Sequence, residues 1–523
     1  MAARTPAPEH VRLSIDGVEL SVPRGTMILE AARSVGTLVP HYCYHPGLSS
    51  PAQCRLCLVE LEGAPKLVPS CVTEVQEGQV VHTASEPALR MREGVLEFYL
   101  ANHPLDCPIC DQSGECKLQD YVFAEGRARG RSREPKRVFG RDDFGGDVLF
   151  YGDRCVMCTR CVRFMDEVAG DPRLTVVERG NRSVIDTFFD EGLDGSPYSG
   201  NIIDICPVGA LVSKDFLHRV RAWDLEHTPS ICASCSQGCN IEIHTRDNAV
   251  HRLRPRENME VNGFWMCDYG RGRYGWMNRV DRIEEPVWAP GAEAAVRGWE
   301  EVTALLGSRL RGAARSGEPA AAVASPYASN EELAALHALL AGLGGGEILF
   351  RSPEAEREIP LPGFPKLVRR RDLTPNRTGA ERLGMRRVGS SAGEGGLEEL
   401  AGHRGTLIVL GDELGDVAGD FGAQASLYVY LGWHPPDGGA LADAILPIAT
   451  SAETEGSFTN HEGRVQHFRA ALEAPGSARP ASRVLGTLIA ALDGNGVDMS
   501  GPPEAGAAAG ADGGAGAPSA RER

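Results

Sequence analysis

A chain of 523 residues is too long for one ordinary core, so several domains of roughly 100 to 150 residues each are expected. Its 42% hydrophobic and 24% charged residues are those of a soluble globular protein. A formal charge of −17 argues against a nucleic-acid binder, whose affinity comes from neutralising phosphates with Lys and Arg. No stretch approaches the ~20 apolar residues that span a bilayer, and Met1 to Ser14 lacks the apolar core of a secretory signal, so residence in the cytosol is expected. Structural disulfides are rare in that reducing compartment, and the 15 cysteines therefore point to metal.

VRLSIDGVELSVPRGTMILEAARSVG reads as two alternating strands around Asp16-Gly17, then a helix from Thr26. A Cys-rich loop follows, with Cys43, Cys54, Cys57 and Cys71. Hairpin, helix and loop suggest a small ferredoxin-like β-grasp module. The long irregular loops around the Cys-x2-Cys pair favour a [2Fe-2S] loop over a zinc ribbon, although the first spacer is ten residues where plant-type ferredoxins have four. His41 and His45 flank Cys43, but four thiolates already suffice.

ALRMREGVLEFYLANH has helical periodicity and carries His103 to a helix end, ahead of Cys107, Cys110 and Cys116. Three cysteines cannot fill a cubane's four irons, so His103 is the candidate fourth ligand; a Cys3His zinc site is the alternative. The basic run Arg127, Arg129, Arg131, Arg133, Lys136, Arg137 is expected to be a solvated or partner-facing loop. Next come Cys155, Cys158 and Cys161, with Cys206-Pro207 far downstream. Three cysteines spaced by two residues and a distant Cys-Pro resemble half of a bacterial ferredoxin; no second triplet lies near Cys206, so all four should bind one [4Fe-4S]. The last group is Cys232, Cys235, Cys239 and Cys267, with a hairpin turning at Asp247-Asn248 between them. A cubane at the edge of a small β domain fits, and a four-Cys zinc site is the alternative.

More than 250 residues follow Cys267 without a cysteine. EPAAAVASPYASNEELAALHALLAGLGGGEILF reads as strand, capped helix, Gly-rich turn and strand, and GTLIVLGDE and SLYVYLGWH as further buried strands of an α/β layer. Gly342, Gly344, Gly345 and Gly346 follow a helix, so the dinucleotide fingerprint is not met, and no Walker A loop occurs; no NAD or flavin site is expected in this chain. GPPEAGAAAGADGGAGAPSARER reads as a disordered tail.

GLSSPAQCRLCLVELEGAPK, HPLDCPICDQSGECKLQD, DRCVMCTRC and NIIDICPVGAL closely resemble the large iron–sulfur subunit (subunit 3) of bacterial respiratory complex I, NADH-quinone oxidoreductase, over residues 10–280. The resemblance implies a multidomain α+β chain: a [2Fe-2S] ferredoxin-type β-grasp domain at 1–88, a His(Cys)3 [4Fe-4S] module at 89–128, a ferredoxin-like [4Fe-4S] segment at 129–222 and a small β [4Fe-4S] domain at 223–284. A truncated, degenerate molybdopterin-oxidoreductase-like α/β domain at 285–495 and the tail at 496–523 complete it. Carried over by motif, Cys43, Cys54, Cys57 and Cys71 bind [2Fe-2S]; His103, Cys107, Cys110 and Cys116, then Cys155, Cys158, Cys161 and Cys206, then Cys232, Cys235, Cys239 and Cys267 each bind [4Fe-4S]. No molybdopterin is expected, because no Cys ligand follows Cys267 and Tyr269 stands where molybdenum relatives carry an electron-passing Lys.

The implied role is electron transfer from an NADH/FMN-binding subunit toward quinone, coupled in the complex to proton translocation, with no active site in this chain. Its implied partners are that subunit, a small [2Fe-2S] subunit, a two-[4Fe-4S] subunit and quinone-side subunits, at the cytoplasmic face of the inner (plasma) membrane. The rival readings are an electron-transfer subunit of a soluble NAD-linked hydrogenase or formate dehydrogenase, and a zinc-stabilised scaffold.

Overall fold

Val11, Leu13 and Ile15 alternate inward along the strand His10–Ile15, and they fix which face of the first sheet is buried. The computed structural model describes residues 9–187, 190–290, 294–389, 396–411, 414, 417–436 and 441–494, so the tail expected at 496–523 lies outside the described residues. The chain divides into two units, one of residues 1–279 with 353–375, the other of 280–352 with 376–523.

In the first unit a five-stranded sheet runs in the order Val18–Pro23, His10–Ile15, Gln79–His82, Leu58–Leu61, Val68–Pro69. The first hairpin turns at Asp16, in a left-handed conformation, and Gly17. Helix Ile28–Ser34 buries Ile28, Leu29, Ala31 and Ala32 against Val11, Leu13, Ile15 and Val81 to close a β-grasp core. It begins two residues after the expected Thr26, whose hydroxyl instead donates to the Pro23 carbonyl at 2.7 Å to make a turn.

Helix Glu86–Asn102 follows. Arg127 and Arg131 of the basic run pair with Glu93 and Glu97 on it, and Lys136 donates to the Leu100 and Ala101 carbonyls at its C-terminal end, where a helix favours a cation. Part of the run is thus anchored to the chain's own helix. Besides the two-stranded pairs Leu174–Val177 with Val184–Thr187 and Ile359–Pro360 with Val368–Arg369, the unit holds two three-stranded sheets, ordered Leu211–Ser213, Val148–Tyr151, Arg141–Gly145 and Glu226–Ile231, Asn240–Arg246, Ala249–Pro255. The second turns at Asp247 and Asn248, both left-handed (φ 51° and 56°), the backbone that a two-residue hairpin needs and that Asp and Asn tolerate.

In the second unit the strands Ala320–Ala324, Thr406–Leu410 and Leu427–Gly432 are buried at every position, as strands covered on both faces must be. They lie in an eight-stranded sheet of which six adjacent strands, reaching one edge, run parallel: Ala444–Pro447, Leu427–Gly432, Thr406–Leu410, Ala320–Ala324, Gly346–Phe350, Arg386–Arg387. Helices Trp299–Ser316, Asn330–Gly342 and Ala481–Leu492 cover one face, and Leu397, Leu400, Leu414 and Phe421 belong to the core on the other. The helix Asn330–Gly342 starts on a capping box: Ser329 Oγ accepts from Glu332 N (3.1 Å) and the Glu332 carboxylate accepts from Ser329 N (2.8 Å). The chain leaves this unit at 353 and returns at 376, whereas the sequence suggests one continuous domain over 285–495.

Candidate metal centres

All 15 cysteines are unbridged, and 13 of them are buried. Cys43, Cys54, Cys57 and Cys71 meet at the edge of the β-grasp. The Cys43 thiol shares hydrogen bonds with Cys54 and Cys71, and Cys57 shares one with Cys71. Those bonds hold Cys43 and Cys57 down and push Cys54 and Cys71 up, because a thiol that donates to a neighbouring sulfur stabilises that neighbour as thiolate. Such a set favours a cation that takes thiolate. The loop reaches this shape through left-handed Ala52 and Arg55, non-glycine residues for which that backbone costs roughly 1 kcal/mol or more. The Tyr42 N–H points at Cys54 Sγ (3.4 Å).

Cys107, Cys110 and Cys116 share one loop, and Cys116 caps the N-terminus of helix Lys117–Glu125. Burial raises Cys110 and pushes Cys116 up to about 11, and each thiol feels the charge of its neighbours. His103 caps the end of helix Glu86–Asn102; burial lowers it to about 4, so its imidazole is neutral and one ring nitrogen offers a lone pair. The charges acting most on its ring belong to Asp106, Arg154 and Lys136. Gly209 lies against Cys110: a Cβ there would collide with the sulfur.

The third set closes around an internal cavity lined by Cys155, Cys158, Cys161 and Cys206, with Phe150 and Ile185 among its walls. Met157 and Thr159, between the triplet cysteines, are again left-handed (φ 50° and 57°), and the Met157 N–H points at Cys155 Sγ (3.3 Å). Cys206 ends helix Asn201–Ile205; burial pushes it up to about 12 and raises the other three.

The fourth set joins two strand ends and a helical turn. Cys232 N donates to the Cys239 carbonyl (2.9 Å), and Cys267 caps Asp268–Gly272 with the Gly270 N–H on its sulfur (3.4 Å). Burial raises all four thiols. A Cβ on Gly270 would stand 3.0 Å from Cys232 Sγ and 3.6 Å from Cys267 Sγ. The support from residues 353–375 is absent from the sequence reading. Ser236 N donates to the Asp372 carbonyl (3.1 Å), and the Arg370 N–H bonds Cys235. Nothing in RRRDLTP signals a contact with a loop more than a hundred residues earlier. Tyr269, two residues past Cys267, has Arg273 and Arg369 over its ring.

Among the described residues the ligand atoms of His227, Glu242 and His244 lie mutually within 4.8 Å. Arg252 Nε donates to His244 Nδ1 (2.9 Å), so Nε2 carries the ring proton and faces Glu242 (3.2 Å). A metal-bound histidine has the opposite pattern, its distal N–H donating outward.

The sets are tied to one another. Arg163 donates to the carbonyls of Cys43 (2.6 Å) and Cys158 (3.2 Å), Lys117 N to that of Pro207 (3.0 Å), and Asn201 Nδ2 to that of Met266 (2.8 Å).

Known families match along the chain in the same order. Residues 8–86 match a 2Fe-2S iron–sulfur cluster binding domain and 92–131 an NADH-ubiquinone oxidoreductase-G iron–sulfur binding region. Residues 145–212 match the ferredoxin-like domain of NADH-quinone oxidoreductase subunit 3, 225–279 a molybdopterin oxidoreductase Fe4S4 domain, and 371–491 molybdopterin oxidoreductase. The fold and the gathered cysteines define an iron–sulfur protein with 2Fe-2S and 4Fe-4S binding domains.

Its relatives narrow the class. The G subunit of Rickettsia felis NADH-quinone oxidoreductase is 39% identical over 335 residues, 64% of this chain and 49% of that one. The mitochondrial 78 kDa subunit of Neurospora crassa NADH-ubiquinone oxidoreductase is 39% identical over 360 residues, 68% and 48%. The 75 kDa subunit of Reclinomonas americana NADH-ubiquinone oxidoreductase is 43% identical over 291 residues, 56% and 42%. The chain is similar to the large iron–sulfur subunits of NADH-quinone oxidoreductase. It spans about half the length of the curated relatives it matches. A polypeptide in the crystal structure of an NAD+-reducing [NiFe]-hydrogenase is 30% identical, covering 40% of this chain and 90% of that one, with a TM-score of 0.37. No described helix is long and apolar enough to cross a membrane.

Proposed function

We propose that this chain is an electron-transfer subunit of NADH:quinone oxidoreductase, carrying electrons from an NADH/FMN-binding subunit toward quinone in a complex that couples the reaction to proton translocation. The observation that carries this reading is the gathering of buried, unbridged cysteines into loop-held sets, in a chain similar to the large iron–sulfur subunits of NADH-quinone oxidoreductase. When bound, iron–sulfur clusters supply reversible one-electron transfer.

Cys43, Cys54, Cys57 and Cys71 hold a [2Fe-2S] cluster. His103 with Cys107, Cys110 and Cys116 holds a [4Fe-4S] cluster, as do Cys155, Cys158, Cys161 and Cys206, and as do Cys232, Cys235, Cys239 and Cys267. The thiolates fix position, and the N–H groups of Tyr42, Met157 and Gly270 place partial positive charge on sulfur, which favours the more negative, reduced form. Neutral His103 contributes no negative charge. Phe150 and Ile185 wall the third set with apolar side chains and keep water from it. The partners are the NADH/FMN-binding, small [2Fe-2S], two-[4Fe-4S] and quinone-side subunits, at the cytoplasmic face of the inner (plasma) membrane.

An anaerobic redox titration followed by electron paramagnetic resonance tests the reading. Reduction brings up one binuclear signal and separate cubane signals. A protein silent from full oxidation to full reduction is no electron carrier.

A further inference from the structure

A cavity of about 470 Å³ opens beside the Cys43 loop, a volume that suits a small-molecule ligand. Arg33, Lys117, Arg160, His41 and His45 line it, and no carboxylate does. In a protein of net charge −17 a cavity walled by three cations and no acid is an electrostatic exception.

The cations are available. Arg160 donates to the carbonyls of Ile205 (3.0 Å) and Tyr44 (2.5 Å), neither of them charged, and its buried Nε has no hydrogen-bond partner. Arg33 reaches Glu257 only at 3.7 Å and Lys117 reaches Asp120 only at 3.9 Å. Both are exposed pairs near the limit of contact, worth little and easily exchanged for a ligand. The Gly47 N–H donates to His45 Nδ1 (3.1 Å), so the ring proton sits on Nε2 as a further donor. Arg160 and Lys117 both act on the His41 ring, and Arg160 and Arg33 both act on His45, so the charges converge on one volume.

We propose that this cavity binds a small phosphate-bearing anion, its phosphate held by Arg33, Lys117 and Arg160. Arginine fork donors and a lysine point charge together suit a phosphate's clustered oxygens. The site is defined by the cavity's own charges and does not depend on what the cysteines hold.

Isothermal titration of the full chain, purified with its metals, with inorganic phosphate and then ADP at constant ionic strength tests it. One saturable site per chain is expected for at least one of the two probes. Arg33→Gln and Lys117→Gln each weaken it by roughly tenfold, the loss of one charge-assisted contact. Lys66→Gln, a charge removed from an exposed position elsewhere, leaves it unchanged. Equal metal content in all variants shows that they fold alike. Absence of saturable binding at millimolar concentrations of both probes overturns the proposal, and so does binding that the two cavity variants leave intact.

Discussion

Cys206→Ala lowers the iron of the purified chain by about four atoms, from about 14 to about 10, with an equal loss of acid-labile sulfide. Cys206 is the informative member of its set because it comes from a separate element, the end of helix Asn201–Ile205, and faces the same cavity as the triplet. In two-cluster ferredoxins the Cys-Pro cysteine serves the other cluster. Here the charges acting on it include that of Cys158, and it acts in turn on Cys155 and Cys161, so one cubane loses its ligand and the binuclear centre keeps its spectrum. Loss of the binuclear signal with the cubanes intact would contradict the assignment, as would an unchanged iron count.

Glu453→Ala destabilises the second unit by about 3–5 kcal/mol, the cost of stranding a buried charge. Arg282 and Glu453 are 4% and 3% exposed and pair through both guanidinium nitrogens, one at 2.9 Å. The carboxylate also accepts from Thr450 N (2.8 Å), and Arg282 donates to the Trp433 (3.1 Å) and Ile448 (3.2 Å) carbonyls. The pair therefore pins the start of the unit to the loop after strand Ala444–Pro447. Chemical denaturation measures the loss. Arg282→Met with Glu453→Leu recovers most of it, because an apolar pair strands no charge. Iron content stays at the parent value, since this unit contains no cysteine. A single variant as stable as the parent would show that the pair carries no such cost.

Much of the fold is legible in the sequence because local chemistry and long-range packing agree. The hairpins at Asp16-Gly17 and Asp247-Asn248 follow from residues that tolerate left-handed backbone. The strand, capped helix and strand from Ala320 to Phe350 follow from apolar runs and from Ser329 placed three residues before Glu332. Cysteine spacing separates the sets that the fold gathers, because each triplet or pair lies on one loop. The return of residues 353–375 to the first unit is not legible: its bonds to Ser236 and Cys235 are made by backbone groups of Asp372 and Arg370, which carry no side-chain pattern. Nor is the left-handed backbone at Ala52, Arg55, Met157 and Thr159, where local preference gives way to loop shape. The cationic cavity is equally hidden, since Arg33, Lys117 and Arg160 lie far apart in the chain.

Iron, acid-labile sulfide, zinc and molybdenum measured on anaerobically purified full chain test the central claim most directly. Four filled sets give 2 + 4 + 4 + 4, or about 14, iron per chain with matching sulfide and neither zinc nor molybdenum in stoichiometric amount. Stoichiometric zinc without sulfide would contradict the account.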